Sequence, residues 1–164
     1  MRGCFEAASF SNNPLIKTIL WLFLQNNYYQ YRDYALVGTK GYTFEGPFYI
    51  NPKGSIVGWD EDNEQQARKL VAREAERLRT SFESAKSAGF SKYIMFLHYP
   101  PTNILEDESI FTKMAEEYGV EHVVYSHCHG ESRFGDSIRG MYHGIHYHLV
   151  SGDYLNFIPE KILE

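Results

Sequence analysis

Two stretches of this chain carry histidine in a pattern that could hold a metal: Phe96-Leu97-His98-Tyr99-Pro100-Pro101 and Ser126-His127-Cys128-His129-Gly130. Imidazole nitrogen is a ligand for Zn, Mn, Fe, Ni and Cu(II). A lone His-x-His is more often an ordinary surface or core pair than a ligand set. His98, at the end of a neighbouring strand, tips that balance toward a metal site. Two imidazoles at i and i+2 in a loop just past a strand can diverge toward two adjacent cations. Three imidazoles converging on one sheet edge are first of all a metal-site expectation.

The elements that would position these residues are short and local. Tyr93-Ile94-Met95-Phe96-Leu97 and His122-Val123-Val124-Tyr125 are compact apolar runs, rich in β-branched and aromatic residues, that read as buried strands. A helical pattern lies between them, so the unit is strand, helix, strand, a parallel pair with a right-handed crossover. Both histidine groups then emerge at the carboxyl ends of adjacent strands, where open α/β sheets bind ligands.

Further elements follow along the chain. Residues 1–13 show no sustained period and are expected to be poorly ordered. From Pro14, a suitable first helical residue, Ile16, Ile19, Leu20, Phe23 and Leu24 recur at helical spacing, and Gln25-Asn26-Asn27 ends the pattern. Asp33 to Gly38 reads as a core strand stopped by glycine, and Gly38-Thr39-Lys40-Gly41 as turn chemistry. Tyr42 to Trp59, with its glycines and prolines, reads as a long irregular loop. Acids from Asp60 to Glu64 open a long helix whose apolar stripe is Val71, Ala75, Leu78, Phe82 and Ala85, with Arg73, Glu74, Arg77 and Glu83 on other faces and Gly89 as the stop. Asp107 or Ser109 can cap a helix through Ile110, Phe111, Met114 and Tyr118, closed by Gly119. Glu131 to Gly144 reads as a polar loop, and Gly144–Val150 and Asp153–Ile158 as two strands.

Composition narrows the function classes. The chain has 164 residues, one domain's worth, with 43% hydrophobic and 23% charged residues and a net charge of -5. Acidic excess argues against nucleic acid as the main partner, which requires a basic face, and is compatible with binding cations. Cys4 and Cys128 make no disulfide framework, and a reducing cytoplasm is the expected setting. The apolar segment Pro14–Leu24 is shorter than the roughly 20 residues of a membrane span, is interrupted by Lys17, and lacks a signal-peptide cleavage site. Membrane is therefore not an expected partner.

The remaining histidines have plainer readings. His146 and His148 share one face of a strand with His143 in the loop before it; exposed strand residues are expected there rather than a second metal site. His122 is expected to be solvated at a strand start. Cys128 is expected to point into the core rather than serve as a thiolate ligand, and Asp153-Tyr154 to be turn chemistry rather than catalytic.

Taken in order, the two histidine motifs resemble the last two motifs of the calcineurin-like metallophosphoesterases, a strand ending in His-x-Pro followed by Gly-His-x-His. Tyr34-Ala35-Leu36-Val37-Gly38-Thr39-Lys40-Gly41-Tyr42 and Leu149-Val150-Ser151-Gly152-Asp153-Tyr154-Leu155 resemble a bacterial branch of predicted phosphohydrolases. The similarity runs from about Trp21 to the C-terminus. It implies part of an αββα sandwich of two mixed sheets, a dinuclear Mn, Fe or Zn site, and hydrolysis of a small-molecule phosphoester. By that resemblance His98 and His127 would ligate one metal and His129 the other.

The sequence also departs from that family. Its upstream ligands, an Asp-x-His, a bridging Asp from Gly-Asp-x-x-Asp and an Asn from Gly-Asn-His-Asp, have no counterparts here: Asp33 is the first aspartate, and no histidine precedes His98. The chain reads as a C-terminal half whose N-terminal half is missing, with weak metal binding, little or no phosphatase activity alone, and exposed sheet edges prone to self-association. Ser126 replaces the family's Gly. Lys40 and Tyr42 stand where the branch usually has Arg and Trp, and Lys40 could meet a phosphate as a point charge. Two other readings remain open. One is an inactive metal-binding or interaction domain; the other is a mononuclear zinc hydrolase using the three histidines with Asp136 or Asp153.

Overall fold

A computed structural model describes residues 5–6, 21–42, 61–102 and 108–164 of the chain. They form an α/β fold with one mixed six-stranded sheet. The strands are β3 (Tyr28–Tyr31), β4 (Tyr34–Thr39), β5 (Tyr93–Leu97), β6 (Val120–Tyr125), β7 (Gly140–Tyr142) and β8 (Ile145–Leu149), in spatial order β3-β4-β5-β6-β8-β7. The central four run parallel, and an antiparallel strand closes each side. The helices are α1 (Glu61–Ser87), α2 (Ile110–Tyr118) and the short α3 (Glu131–Gly135). Separately, β1 (Phe5–Glu6) pairs antiparallel with β2 (Trp21–Leu22). Among the described residues no helix is long and apolar enough to cross a membrane.

Alternation along the strands sorts the sheet into two faces. Ala35, Val37, Tyr93, Met95, Leu97, Val123, Tyr125, Tyr147 and Leu149 join Ala75, Leu78, Phe82, Ala85, Phe111, Met114 and Ala115 of α1 and α2 in one buried core. Phe82 is its aromatic hinge, stacked on Tyr118 at 4.3 Å and edge-on to Tyr93 at 5.3 Å. Ile94, His122, Val124, His146 and His148 alternate onto the opposite face, while Val120, before the register shift between β5 and β6, stays with the core.

Helix ends follow their local chemistry. Ser109 Oγ accepts from the backbone N–H groups of Phe111 and Thr112, while Thr112 Oγ1 answers the Ser109 N–H, which closes a capping box on α2. Gly119 stops α2 in the left-handed conformation, at φ 66°. The stripe expected on α1 is the one buried, with Val71 packed at its margin.

Several expectations are corrected. Trp21 and Leu22, expected within a helix from Pro14, are extended and paired as β2, because a short apolar run carries both periodicities and its pairing partner decides; residues 14–20 lie outside the described residues. Phe5–Glu6, within the segment expected to be poorly ordered, forms β1; the rest of 1–13 and the loop residues 43–59 lie outside as well. The polar stretch 131–144 contains α3 and β7. β7 returns to β8 through His143-Gly144, at φ 47° and 79°, the two positive-φ positions of a tight hairpin, with histidine in place of the usual Asn or Asp. Asp153–Ile158 is a run of turns rather than a strand: the Leu155 N–H donates to Ser151 O at 3.0 Å and the Phe157 N–H to Gly152 O at 2.7 Å. Glu74 lies in the packed face of α1, only 3% exposed, because it leads Leu78 by one helical turn.

Candidate functional site

The carboxyl ends of the parallel strands are laced by backbone hydrogen bonds. The Lys40 carbonyl, just past β4, accepts from the N–H groups of His98 and Tyr99, both at 3.1 Å. The His98 carbonyl accepts from Ser126 N–H at 3.3 Å, and the Tyr125 carbonyl from Val150 N–H at 2.8 Å. Lys40, His98, His127 and the Ser151–Asp153 turn are thereby gathered along one edge of the sheet.

At that edge His98 Nε2 lies 3.2 Å from His127 Nδ1, with the rings 5.0 Å apart. The other nitrogen of His98 faces Ser126 Oγ at 3.4 Å. Tyr99 packs against both imidazoles, and Lys40 Nζ lies 5.1 Å from the centre of the Tyr99 ring. His127 takes φ 69°, and Cys128 N–H donates to the Ser126 carbonyl across it at 2.8 Å, a tight γ-turn rarely adopted by a side-chain-bearing residue. That turn lifts the imidazole of His127 toward His98 while the next side chain, Cys128, goes into the core at 1% exposure, as expected of it.

Burial first, and then Lys40 and His129, lower the pKa of His98. Burial first, then His98 and Arg133, bring His127 down to about 4. Both imidazoles are thus neutral near pH 7, the protonation state that a metal ligand needs. The same surrounding cations make the edge attractive to an anion.

His129 is placed differently. Its side chain is 67% exposed, and its Nδ1 lies 2.8 Å from Asp153 Oδ1, while Asp153 Oδ2 accepts from Gly130 N–H at 2.9 Å. Partial desolvation opposes ionisation of Asp153, but Gly130 and His129 outweigh it and hold the carboxyl below its usual value. With Nδ1–H donated to a carboxylate, His129 keeps Nε2 as an outward lone pair, the arrangement found behind metal-ligating histidines. Asp153 sits in the turn expected of it, but its carboxylate also orients this candidate ligand. Asp136 caps the C-terminal end of α3.

A second histidine group lies on the sheet face away from the helical core. His122 of β6 and His146 of β8 are register partners, and His148 follows His146 on the same side. His122 Nδ1 is 3.1 Å from His148 Nε2, and one ligand atom from each of His122, His146 and His148 lies within 4.8 Å of the other two. These residues were expected to be exposed on their strands; instead His148 is buried and His122 and His146 half-buried, because β6 and β8 are neighbours. Burial, then His148 and His146, lower the pKa of His122. His143 is not part of the group: it stacks on Tyr142 and its Nδ1 meets Glu116 at 2.9 Å. Sequence reasoning missed His122 as a member. The usable signal was its place on a parallel strand beside a His-x-His strand, which only the strand order reveals.

The structure therefore brings His98 and His127 together, sets His129 beside Asp153 nearby, and keeps Lys40 on the same edge. No family model matches this chain, and no curated protein or solved structure matches it.

Proposed function

We propose that the strand-end edge binds a divalent cation through His98 and His127, with His129 held ready by Asp153, and that it serves metal-dependent hydrolysis of a phosphoester. The observation that carries this reading is the 3.2 Å between His98 Nε2 and His127 Nδ1. Two nitrogens sharing a tetrahedral Zn²⁺ at about 2.0–2.1 Å sit roughly 3.3–3.4 Å apart, so the pair fits one ion with little movement. The resemblance to metallophosphoesterases supplies the reaction class, the wider αββα sandwich and the preference for Mn, Fe or Zn.

A bound ion would polarise a phosphoryl oxygen and lower the pKa of a bound water. The chain's own residues do the rest. Ser126 and the backbone lacing set the ring of His98, the γ-turn sets that of His127, and Asp153 sets the tautomer of His129. Lys40 offers a mobile positive charge to a phosphate oxygen. Tyr99 walls one side of the imidazole pair.

A second reading, a metal-binding or interaction domain without turnover, is favoured by a different observation. Among the described residues no carboxylate joins His98 and His127 in a three-ligand set. A dinuclear hydrolase needs a bridge to hold its cations about 3.5–4 Å apart. Metal content by elemental analysis after exposure to Mn²⁺ and Zn²⁺, with hydrolysis of a generic phosphodiester, separates the two. Turnover abolished in His98→Ala and His127→Ala supports the hydrolase. Metal retained without turnover leaves the binding domain. Metal content unchanged in both variants removes the strand-end site from either reading.

A further inference from the structure

We propose that His122, His146 and His148 form a separate mononuclear site for a transition-metal dication of the Zn²⁺ class, on the sheet face opposite the helical core. The inference does not depend on the strand-end reading, since the two groups share no residue.

Three features argue for a built site rather than a chance cluster. The ligands stand on the two neighbouring parallel strands β6 and β8, with His122 in register with His146 and Val124 in register with His148. Paired backbone fixes their spacing in a way a loop would not. The spacing itself is apt: His122 Nδ1 and His148 Nε2 are 3.1 Å apart, close to the roughly 3.3–3.4 Å of two nitrogens on one tetrahedral ion. His146 closes the third side, its ring 4.2 Å from that of His148 and 5.9 Å from that of His122.

The third feature is a carboxylate behind the most buried ligand. Glu160 Oε1, from the C-terminal segment, meets His148 Nδ1 at 2.9 Å, and the His148 side chain is only 4% exposed. Donation of Nδ1–H to Glu160 leaves Nε2 as the lone pair, directed at His122. This carboxylate–imidazole arrangement both orients a ligand and raises its basicity, so Glu160 is a positioning residue. Without a metal, the His122 Nδ1–H can donate to His148 Nε2; with one, His122 would take its Nε2–H tautomer, so that both lone pairs face the ion. Three imidazoles leave a fourth position for water, and an all-imidazole set selects Zn²⁺, Co²⁺, Ni²⁺ or Cu²⁺ over Mg²⁺ or Ca²⁺.

The test uses Co²⁺ as a spectroscopic probe on the full chain. In the His98→Ala/His127→Ala double variant, one Co²⁺ per chain with visible d–d absorption is expected. Adding His146→Gln or His122→Gln should abolish that absorption, and Glu160→Gln should weaken Co²⁺ binding by about 10–100-fold. Imidazole NMR of the unmodified protein guards against misfolded variants: Zn²⁺ should shift the ring nitrogens of His122, His146 and His148 together. The proposal is overturned if the double variant binds no Co²⁺, if His122 and His146 can be replaced without loss, or if Zn²⁺ leaves those three rings unshifted. Failure of the strand-end site would read out separately, as Co²⁺ stoichiometry unchanged by His98→Ala/His127→Ala.

Discussion

The carboxylate of Glu74 reaches from α1 to the end of β4, where Thr39 Oγ1 donates to its Oε2 while Arg77 Nη1 donates to Oε1 at 2.6 Å. Thr39 is 1% and Glu74 3% exposed, so a helix and the strand leading to Lys40 are joined by a buried charged contact. Glu74→Ala should strip Thr39 of its acceptor and take from Arg77 and Arg73 the carboxylate they share. Arg77 is 30% exposed and can turn to water, so the expected loss is about 2–3 kcal/mol rather than the larger penalty of a fully buried pair. A urea unfolding midpoint that does not move would disprove the contact's importance.

His127 carries backbone strain as well as an imidazole. Its φ of 69° penalises any side chain with a Cβ, but not glycine. His127→Gly should therefore be more stable than His127→Ala by about 1 kcal/mol, while both lose any metal bound at the strand ends. Equal stability of the two variants by thermal unfolding would show that the turn relaxes without cost.

Tyr147 buries a hydroxyl in the core that has no hydrogen-bond partner among the described residues. Tyr147→Phe removes that group and keeps the ring, so stability should hold or rise, by up to about 1 kcal/mol. A destabilisation above that size in chemical denaturation would mean the hydroxyl is satisfied in solution.

Alkaline pH should unfold the protein through its tyrosines. Burial first, then the hydrogen bond to Glu83, raise Tyr118 to about 12, and burial raises Tyr125, whose hydroxyl donates to the Ile138 carbonyl. An unfolded phenol titrates near 10. A folded pKa above the unfolded one gives stability that is complete below about pH 10 and declines as pH rises through about 12. Tyrosinate absorbance near 295 nm should therefore appear together with loss of far-ultraviolet dichroism. Ionisation of all 13 tyrosines with the fold intact would contradict the burial.

Much of this protein was legible in local sequence. β5 matches its apolar run residue for residue, and Ser109 and Gly119 bound α2 where their side-chain chemistry places them. The gathering of His98 and His127 was legible too, because a strand–helix–strand unit constrains its two carboxyl ends to one edge of the sheet.

What sequence could not supply depends on neighbours distant along the chain. Asp153 lies 24 positions from His129, in a segment whose alternation suggested a strand, and only the turns after β8 bring its carboxylate to the imidazole. His122 meets His148 because β8 inserts between β6 and β7, a pairing that no periodicity along either strand encodes. Residue types and local spacing determined the strands, the capped helix and the strand-end histidine pair, since those follow from chemistry a few residues in range. Tertiary structure alone decided the three-histidine face and the burial of Glu74, because strand order and helix docking are set by burial of the whole core rather than by any one segment.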